Sequence, residues 1–210
     1  LKNKANPNLF DYDGLYPISS AIDANNLPII QLLIEHKANI NISQTMVHNN
    51  KPLIFKNQKG EHLGIIIEES PLIRSLLDNE STYEIHKYLI DMKANIDQCR
   101  SSDEIYPVAL AAEKKHNKTL KLLLDMKADL DEKIIDGRDP VFLATEYYNT
   151  KGLKLLLKAK ANPNSYRNSG ETAVYQAIIM KHKKALDLLF EYDAESDLRH
   201  QCNCQCQHPH

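Results

Sequence analysis

The sequence predicts an all-α solenoid of stacked helix-turn-helix pairs with one inserted β-hairpin finger. Three observations support this fold class: a phrase that recurs along the chain, an apolar helical stripe in each copy, and one interval that breaks the period. Units that recur at a fixed period bury their apolar faces by stacking on their neighbours. The chain is therefore expected to form an elongated array that presents a surface.

The recurring phrase ends an apolar helix and continues, in most copies, with a lysine, an alanine and two asparagine or aspartate residues. Its shared alanines are separated by 33, 56, 34, 33 and 33 residues. These alanines are Ala5, Ala38, Ala94, Ala128, Ala161 and Ala194. The period predicts a repeat domain over residues 1–197, with a partial repeat at 1–8, full repeats at about 9–41, 42–97, 98–131, 132–164 and 165–197, and a separate tail at 198–210.

An apolar stripe precedes each copy of the phrase and predicts the second helix of each pair. Its residues recur at i, i+3 and i+4, which places them on one face of a helix. We expect this stripe to be core. Its members are Ile30, Leu33, Ile34, Ile85, Leu89, Leu120, Leu123, Leu124, Leu153, Leu156, Leu157, Leu186, Leu189 and Phe190.

The first helix of each pair is predicted from its start signals. A proline follows the cap position in four of the five repeats, which suits the first helical turn because proline lacks an N–H. Ser70, Asp139 and Thr172 have side-chain oxygens that can accept hydrogen bonds from free N–H groups. Tyr16 and Tyr106 occupy the same position and are poor caps.

Taken together, these units resemble the ankyrin repeat. In the fourth repeat, residues 136–144 read DGRDPVFLA and residues 155–164 read LLLKAKANPN, which matches the family pattern of a β-turn, a helix start and a leucine-rich second helix. The resemblance covers residues 1 to 197. It implies an array that binds another protein, with no catalysis, no cofactor and no metal site, and a monomeric state.

The chain departs from the family pattern where the second helix ends. The family's glycine is replaced by Lys37, Lys93, Lys127, Lys160 and Asp193. At positive φ a non-glycine residue costs about 1 kcal/mol, so the array should be less stable than a consensus one. The histidine that starts the family's first helix is absent too, which puts its hydrogen bonds between repeats in doubt.

The longest interval predicts an insertion at residues 42–69. Its sequence contains two β-rich segments around a polar turn, and we interpret it as an enlarged β-hairpin. A tolerated surface loop is the alternative, because long insertions cost little entropy. A two-stranded hairpin cannot bury so many apolar residues alone, which favours partner contact. The predicted contact residues are Lys51, Phe55, Lys59, Ile65 and Ile67.

The resemblance also implies a groove lined by the β-turns and the outer edges of the first helices. Tyrosine, arginine and isoleucine beside charged residues are typical of an interface with a polar rim. The predicted groove contacts are Tyr12, Leu15, Asp23, Ile105, Glu113, Arg138, Glu146 and Tyr147.

Composition excludes several classes of function. The 210 residues have a formal net charge of −2 and include no apolar run near the length of a membrane span, so neither a span nor a signal peptide is expected. A near-neutral balance gives no electrostatic footprint for nucleic acid. No nucleophile and base pair, and no phosphate-binding glycine loop, can be recognised.

The tail carries Cys202, Cys204 and Cys206 with flanking histidines. In an extended chain alternate side chains share a face, so these thiols could bind zinc or copper. The spacing is tighter than in structural zinc motifs, and we expect a flexible tail with little or no bound metal.

The favoured function is a non-enzymatic protein-interaction module. The alternative is the targeting domain of a larger effector enzyme, whose chemistry would lie outside these residues. Residues 1–8 end a repeat, so we expect more protein before Leu1. The lysine-rich, asparagine-rich composition resembles that of ankyrin effectors of intracellular bacteria and of large DNA viruses. The expected location is the cytoplasm, or the host cytosol or nucleus for a secreted effector.

Overall fold

The computed structural model describes residues 5–11, 15–45, 47–48, 51–52, 54–56, 62–64, 68–77 and 83–196. Within these ranges the chain forms ten helices in five helix-turn-helix pairs, as predicted. First helices have seven residues and second helices have nine. They are α1 (Pro17–Asp23), α2 (Leu27–Glu35), α3 (Pro71–Leu77), α4 (Tyr83–Asp91), α5 (Pro107–Glu113), α6 (Asn117–Asp125), α7 (Pro140–Glu146), α8 (Thr150–Lys158), α9 (Ala173–Ile179) and α10 (Lys183–Glu191).

The helices form two layers. The first helices α1, α3, α5, α7 and α9 pack against one another in a row, and α4, α6, α8 and α10 form a second row. Each first helix also packs on the second helix of its own pair. The core lies between the rows, where the predicted stripe supplies fully buried side chains such as Ile30, Leu89 and Leu123.

One member of the stripe is exposed, and Ile34, Leu124 and Leu186 are partly buried. Phe190 was expected in the core, but 45% of it is exposed. Its counterpart one repeat earlier, Leu157, is 2% exposed. The reason is position: among the described elements no helix packs beyond α10, so the outer side of this last pair is uncovered.

The predicted helix caps are confirmed. Asp139 accepts from the N–H of Phe142 at 2.9 Å, Thr172 from that of Tyr175 at 3.1 Å, and Ser70 from that of Ile73 at 3.3 Å. The side chains of Tyr16 and Tyr106 make no cap hydrogen bond, also as predicted.

The second helices end on residues in the left-handed region. The expected positive φ is confirmed, with values between 61° and 70° at Lys37, Lys93, Lys127, Lys160 and Asp193. After α6, the N–H of Lys127 donates to the carbonyl of Leu124 and that of Ala128 to the carbonyl of Leu123, which is a Schellman cap. Ala128 is buried, which explains the small residue that follows each lysine.

The first helices end in the same way, which the sequence analysis did not predict. Asn25, Lys115, Tyr148 and Lys181 have φ between 49° and 62°. The residue after each then starts the second helix and, in the later repeats, also reaches the preceding repeat. His116 Nε2 lies 3.2 Å from the carbonyl oxygen of Leu76, Asn149 Nδ2 donates to that of Ala112 at 2.8 Å, and His182 Nδ1 lies 3.3 Å from that of Thr145. The starts of the second helices therefore supply hydrogen bonds between repeats, although the family's histidine is absent.

A second set of hydrogen bonds links the ends of successive repeats, and we call it the asparagine ladder. In five of the six copies of the phrase the first asparagine or aspartate accepts from the N–H two residues on, as Asn39 does from Asn41 at 3.0 Å. At four of the five junctions the second one accepts from the backbone of the next repeat. These acceptors are Asn8, Asn41, Asp97 and Asn164, which receive the N–H groups of Asn39, Asn95, Asp129 and Glu195 at 2.6, 2.7, 3.4 and 2.7 Å.

Within the insertion, the described backbone forms three short antiparallel pairs. They join β1 (Gln44–Thr45) to β6 (Glu68–Glu69), β2 (Val47–His48) to β3 (Lys51–Pro52) and β4 (Ile54–Lys56) to β5 (His62–Gly64). Phe55 lies opposite Leu63, so the two β-rich segments predicted from sequence do face each other there. A single projecting finger stays a prediction. The lengthened turn expected at 78–81 lies outside the described residues.

Candidate functional site

The β-turns of the later repeats are joined into one surface. The N–H of Ile135 donates to the carbonyl of Asp103 at 3.0 Å, and the N–H of Asn168 donates to that of Asp136 at 2.9 Å. Gly137 has φ of 86°, and a Cβ there would lie 2.1 Å from Asn168 Oδ1. Both the left-handed angle and this close approach require glycine. The turns therefore hold a fixed spacing beside the ends of the first helices.

This surface continues across the insertion. The asparagine ladder spans it, since Asn41 accepts from Asn95, and Gln98 Nε2 donates to Ser43 Oγ at 2.8 Å. Helix α3 packs on α1 before the insertion as well as on α5 after it. Arg74 in α3 also holds Asp23 in α1 through two hydrogen bonds of 2.7 and 2.6 Å. The insertion therefore leaves and rejoins the stack without separating its repeats.

Arginines are concentrated on this side of the molecule. The chain has five, against twenty-one lysines, and the four in the described part all make ion pairs near the β-turns or the first helices. Arg74 binds Asp23 and Glu69, Arg100 binds Asp103, Arg138 binds Asp136 and Glu146, and Arg167 binds Glu171. Arginine suits this role because its planar fork can hold two carboxylate oxygens at once.

The pair of carboxylates around Arg138 fixes the fourth β-turn to helix α7. Arg138 Nε lies 2.7 Å from Asp136, and Nη1 contacts Glu146 at the end of α7. Burial alone would lower the pKa of Arg138 and raise that of Asp136. The hydrogen bonds between the two side chains have a larger effect than burial. The pKa of Arg138 is therefore raised, and the pKa of Asp136 is lowered. Arg138 is therefore a brace within the surface, with 20% of its side chain exposed.

The predicted groove contacts are only partly brought together. Arg138 and Glu146 touch, and Tyr147 follows them with 39% exposure. Glu113 lies 3.4 Å from Lys114 one repeat earlier. Asp23 is exposed and paired with Arg74, and Leu15 is partly buried where its backbone closes a turn with Asp11.

One groove expectation was wrong. Ile105 was predicted to be exposed, but it is only 1% exposed and belongs to the core. It pairs with Arg100 across the turn, and this pairing directs the side chain between the helix layers. Tyr12, Lys59, Ile65 and Ile67 lie outside the described residues, and for Lys51 and Phe55 the structure describes the backbone. Their contact with a partner stays a prediction.

Sequence reasoning missed two exposed apolar residues on this side. Ile135 is 62% exposed at the tip of the fourth β-turn, and Tyr148 is 50% exposed after α7. Tyr148 also donates to the carbonyl of Met180 at 2.8 Å, which ties it to the next repeat. The apolar pair Ile134-Ile135 inside a turn was a usable signal, because turns normally carry polar residues.

No metal centre can be assigned within the described ranges, where His, Cys, Asp and Glu side chains form no group of three or more able to hold an ion. Cys202, Cys204 and Cys206 lie outside these ranges. None of the described helices has the length and apolar character that crossing a bilayer requires.

These features define the class as a helical-repeat solenoid whose β-turns and first helices build one continuous surface. A family model for ankyrin repeats in three copies matches residues 76–166 and 108–200, and a model for the single ankyrin repeat matches residues 13–44. The chain belongs to the ankyrin repeat family. No curated protein matches it. Ankyrin repeats are generally protein–protein interaction modules, and their domains are typically non-catalytic.

Proposed function

We propose that this chain is a non-enzymatic module that binds a partner protein through two adjoining surfaces, the groove beside the first helices and the insertion at residues 42–69. The continuity of the stack across the insertion supports this most directly. Because Asn41 and Asn95 remain hydrogen-bonded, the repeats on both sides of the insertion stay joined, which supports a binding surface that combines the groove and the insertion. The proposed setting is the cytoplasm, including a host cytosol or nucleus for a secreted effector.

The groove contributes a rigid surface with exposed apolar residues. Its arginines are held by carboxylates, so its turns are ordered before any partner arrives, which lowers the entropy lost on binding. Ile135 and Tyr147 are exposed beside these ion pairs. Aromatic and aliphatic side chains surrounded by charged groups form the energetic centre of many interfaces. Tyr147 is therefore the main groove residue to substitute in a binding test. Arg138 is less suitable, because its ion pairs hold the turn in place.

The test compares the proteins captured by four baits in cells. They are the natural chain, a variant with residues 45–67 replaced by a short glycine-serine turn, the groove variant Ile135→Ala/Tyr147→Ala, and the control Gln31→Ala on helix α2. A true partner should bind the natural chain and the control equally. Its affinity for each of the other two baits should fall at least about tenfold, which corresponds to roughly 1.4 kcal/mol.

The outcome assigns the site. A partner lost only with the 45–67 replacement places binding on the insertion, and one lost only with the groove variant places it on the groove. A partner that binds all four baits equally would overturn the proposal.

A further inference from the structure

The outer face of helices α6 and α8 carries a group of lysines that the proposed function does not use. Their opposite faces are buried through leucines such as Leu123 and Leu156. The exposed positions then fall three or four residues apart along each helix. In α6 they are Lys118, Lys121 and Asp125, and in α8 they are Lys151, Lys154 and Lys158. We call these six exposed residues the lysine face; it contains five positive charges and one negative charge.

The lysines of the two helices lie on one surface. Helix α6 packs beside α8, and Lys121 and Lys158 line the same cleft of about 230 Å³ between them. Among the described residues, the lysines that make ion pairs are Lys87 and Lys114, and neither belongs to this face. The Nζ atom of Lys118 lies 5.7 Å from the centre of the Tyr83 ring, and this contact with an uncharged ring does not neutralise the positive charge of the lysine.

The face is bounded on both sides. The matching positions of α4 are Glu84, Lys87 and Asp91, and those of α10 are Lys184, Asp187 and Glu191. These strips are mixed in sign, and Lys87 is paired with Asp91 at 2.6 Å. The excess of positive charge is therefore confined to the two adjacent helices in the third and fourth repeats.

We propose that the lysine face docks on the surface of an anionic lipid membrane. Clusters of exposed basic residues are attracted to the negative surface potential of such membranes. Each nine-residue helix is about 13 Å long, and packed helices lie about 10 Å apart, so the face covers several lipid headgroups. Docking this face leaves the β-turns and first helices, in the other layer, open to a protein partner.

The residue types favour a membrane over nucleic acid. The face contains lysine and no arginine, although arginine is the usual choice for binding phosphates in a fixed geometry. Helices α6 and α8 also contain no aromatic residue on which a base could stack. Lysines on flexible stems suit a fluid layer of headgroups, where no fixed geometry is required.

The experiment measures sedimentation with vesicles at low salt. Vesicles of phosphatidylcholine with about one-third phosphatidylserine should bind the natural chain, and pure phosphatidylcholine vesicles should not. Lys151→Gln/Lys154→Gln/Lys158→Gln should weaken binding on the order of a hundredfold. The matched control Lys37→Gln/Lys87→Gln/Lys93→Gln removes three charges elsewhere and should weaken it far less. Circular dichroism checks that all variants keep the same helical signal.

A gain of binding provides an independent arm. Asp125→Asn removes the one carboxylate of the face and should strengthen vesicle binding by roughly fivefold. Absence of binding to anionic vesicles, or equal loss in both triple variants, would overturn the proposal. Binding to a short RNA or DNA duplex without binding to vesicles would assign the face to nucleic acid instead. None of these outcomes bears on the groove, so the proposed function is tested separately.

Discussion

At the scale of single residues, the lysines that end the second helices have an energetic cost. Lys37, Lys127 and Lys160 have φ of 67°, 61° and 69°, where a Cβ meets its own backbone. Replacing any of them by glycine should stabilise the array by about 0.5–1 kcal/mol. Urea unfolding followed by helical circular dichroism measures the change.

A control uses a lysine at ordinary helical angles. Lys121 is exposed within α6, so Lys121→Gly should destabilise the array by about 1 kcal/mol. Opposite signs at Lys121 and Lys127 would show that φ decides the effect. A loss of stability with both Lys121→Gly and Lys127→Gly would contradict the role of φ.

Asp136 should give the groove a dependence on pH. Burial raises the pKa of Asp136, but the hydrogen bonds from Arg138 lower it by more than burial raises it. The pKa of Asp136 in the folded chain therefore lies below its value in the unfolded chain. The pair is therefore fully stabilising above the unfolded carboxylate pKa of about 3.9, and this is lost as pH falls through the folded value. Asp136→Asn should cost no more than about 1 kcal/mol near neutral pH, because Asp136 is nearly half exposed, and this cost should shrink as pH falls through the folded value.

The measurement is the free energy of unfolding of Asp136→Asn against the natural chain across this range of pH. In the background of Arg138→Gln the same substitution should lose most of its effect at neutral pH. An effect that is unchanged in that background would assign it to the turn backbone instead.

At the scale of elements, the start of each second helix serves two functions. Asn149 is 3% exposed; its Oδ1 accepts from the N–H of Gly152 at 2.9 Å, and its Nδ2 donates to Ala112 in the preceding repeat. The side chain lies so close to Gly152 that a Cβ there would be 2.3 Å from Nδ2. Asn149 therefore caps its own helix and also fixes the distance of that helix from the preceding repeat.

Asn149→Ala should lose both contributions. The cap is worth about 1 kcal/mol and the bond to a buried carbonyl about 1–3 kcal/mol, so we expect a total of about 2 kcal/mol or more. Asn26→Ala is the matched control, because Asn26 caps α2 through Ile29 and should cost about 1 kcal/mol. Chemical denaturation of both variants gives the difference. Equal losses would mean that the bond between repeats adds no stability.

The helices could be predicted from sequence because their signals are local. Leucine spacing and the oxygens of Asp139 and Thr172 act within one turn of helix, so their outcome depends little on distant residues. Ile105 and Phe190 were misassigned because burial depends on what packs over a residue from elsewhere. The ion pair of Arg74 with Asp23 joins residues 51 positions apart, a distance over which a single sequence carries no visible pattern.

At the scale of the whole molecule, the total charge hides how the charges are distributed. The formal net charge of −2 indicated no electrostatic footprint for nucleic acid, and the structure separates the charges between the two layers. Arginines and carboxylates meet near the β-turns, and lysines collect outside α6 and α8. The net charge is a sum over all residues, so it cannot show how the charges are separated. That separation can be seen only when the buried face of each helix is known.

The whole stack should tolerate loss of the insertion. Replacing residues 45–67 by a short turn leaves the bond of Asn41 with Asn95 and the bridge of Arg74 to Asp23 in place. Shortening a loop changes its closure entropy only slightly, so the free energy of unfolding should change by less than about 1 kcal/mol. Thermal unfolding with circular dichroism measures this. A large loss of helix would show that the insertion braces the first two repeats.

The asparagine ladder also makes four junctions between repeats chemically alike. Asn41 receives the next repeat in the same way as Asn8 and Asn164 do, although its partner Asn95 is 54 residues away along the chain. The packing of successive repeats therefore depends on the residues at the two ends of a junction and not on the number of residues between them. Foreign peptide segments grafted directly after Asp97 or Asn164 should therefore be displayed on the array without disturbing its order, which makes these junctions natural sites for acquiring new recognition loops.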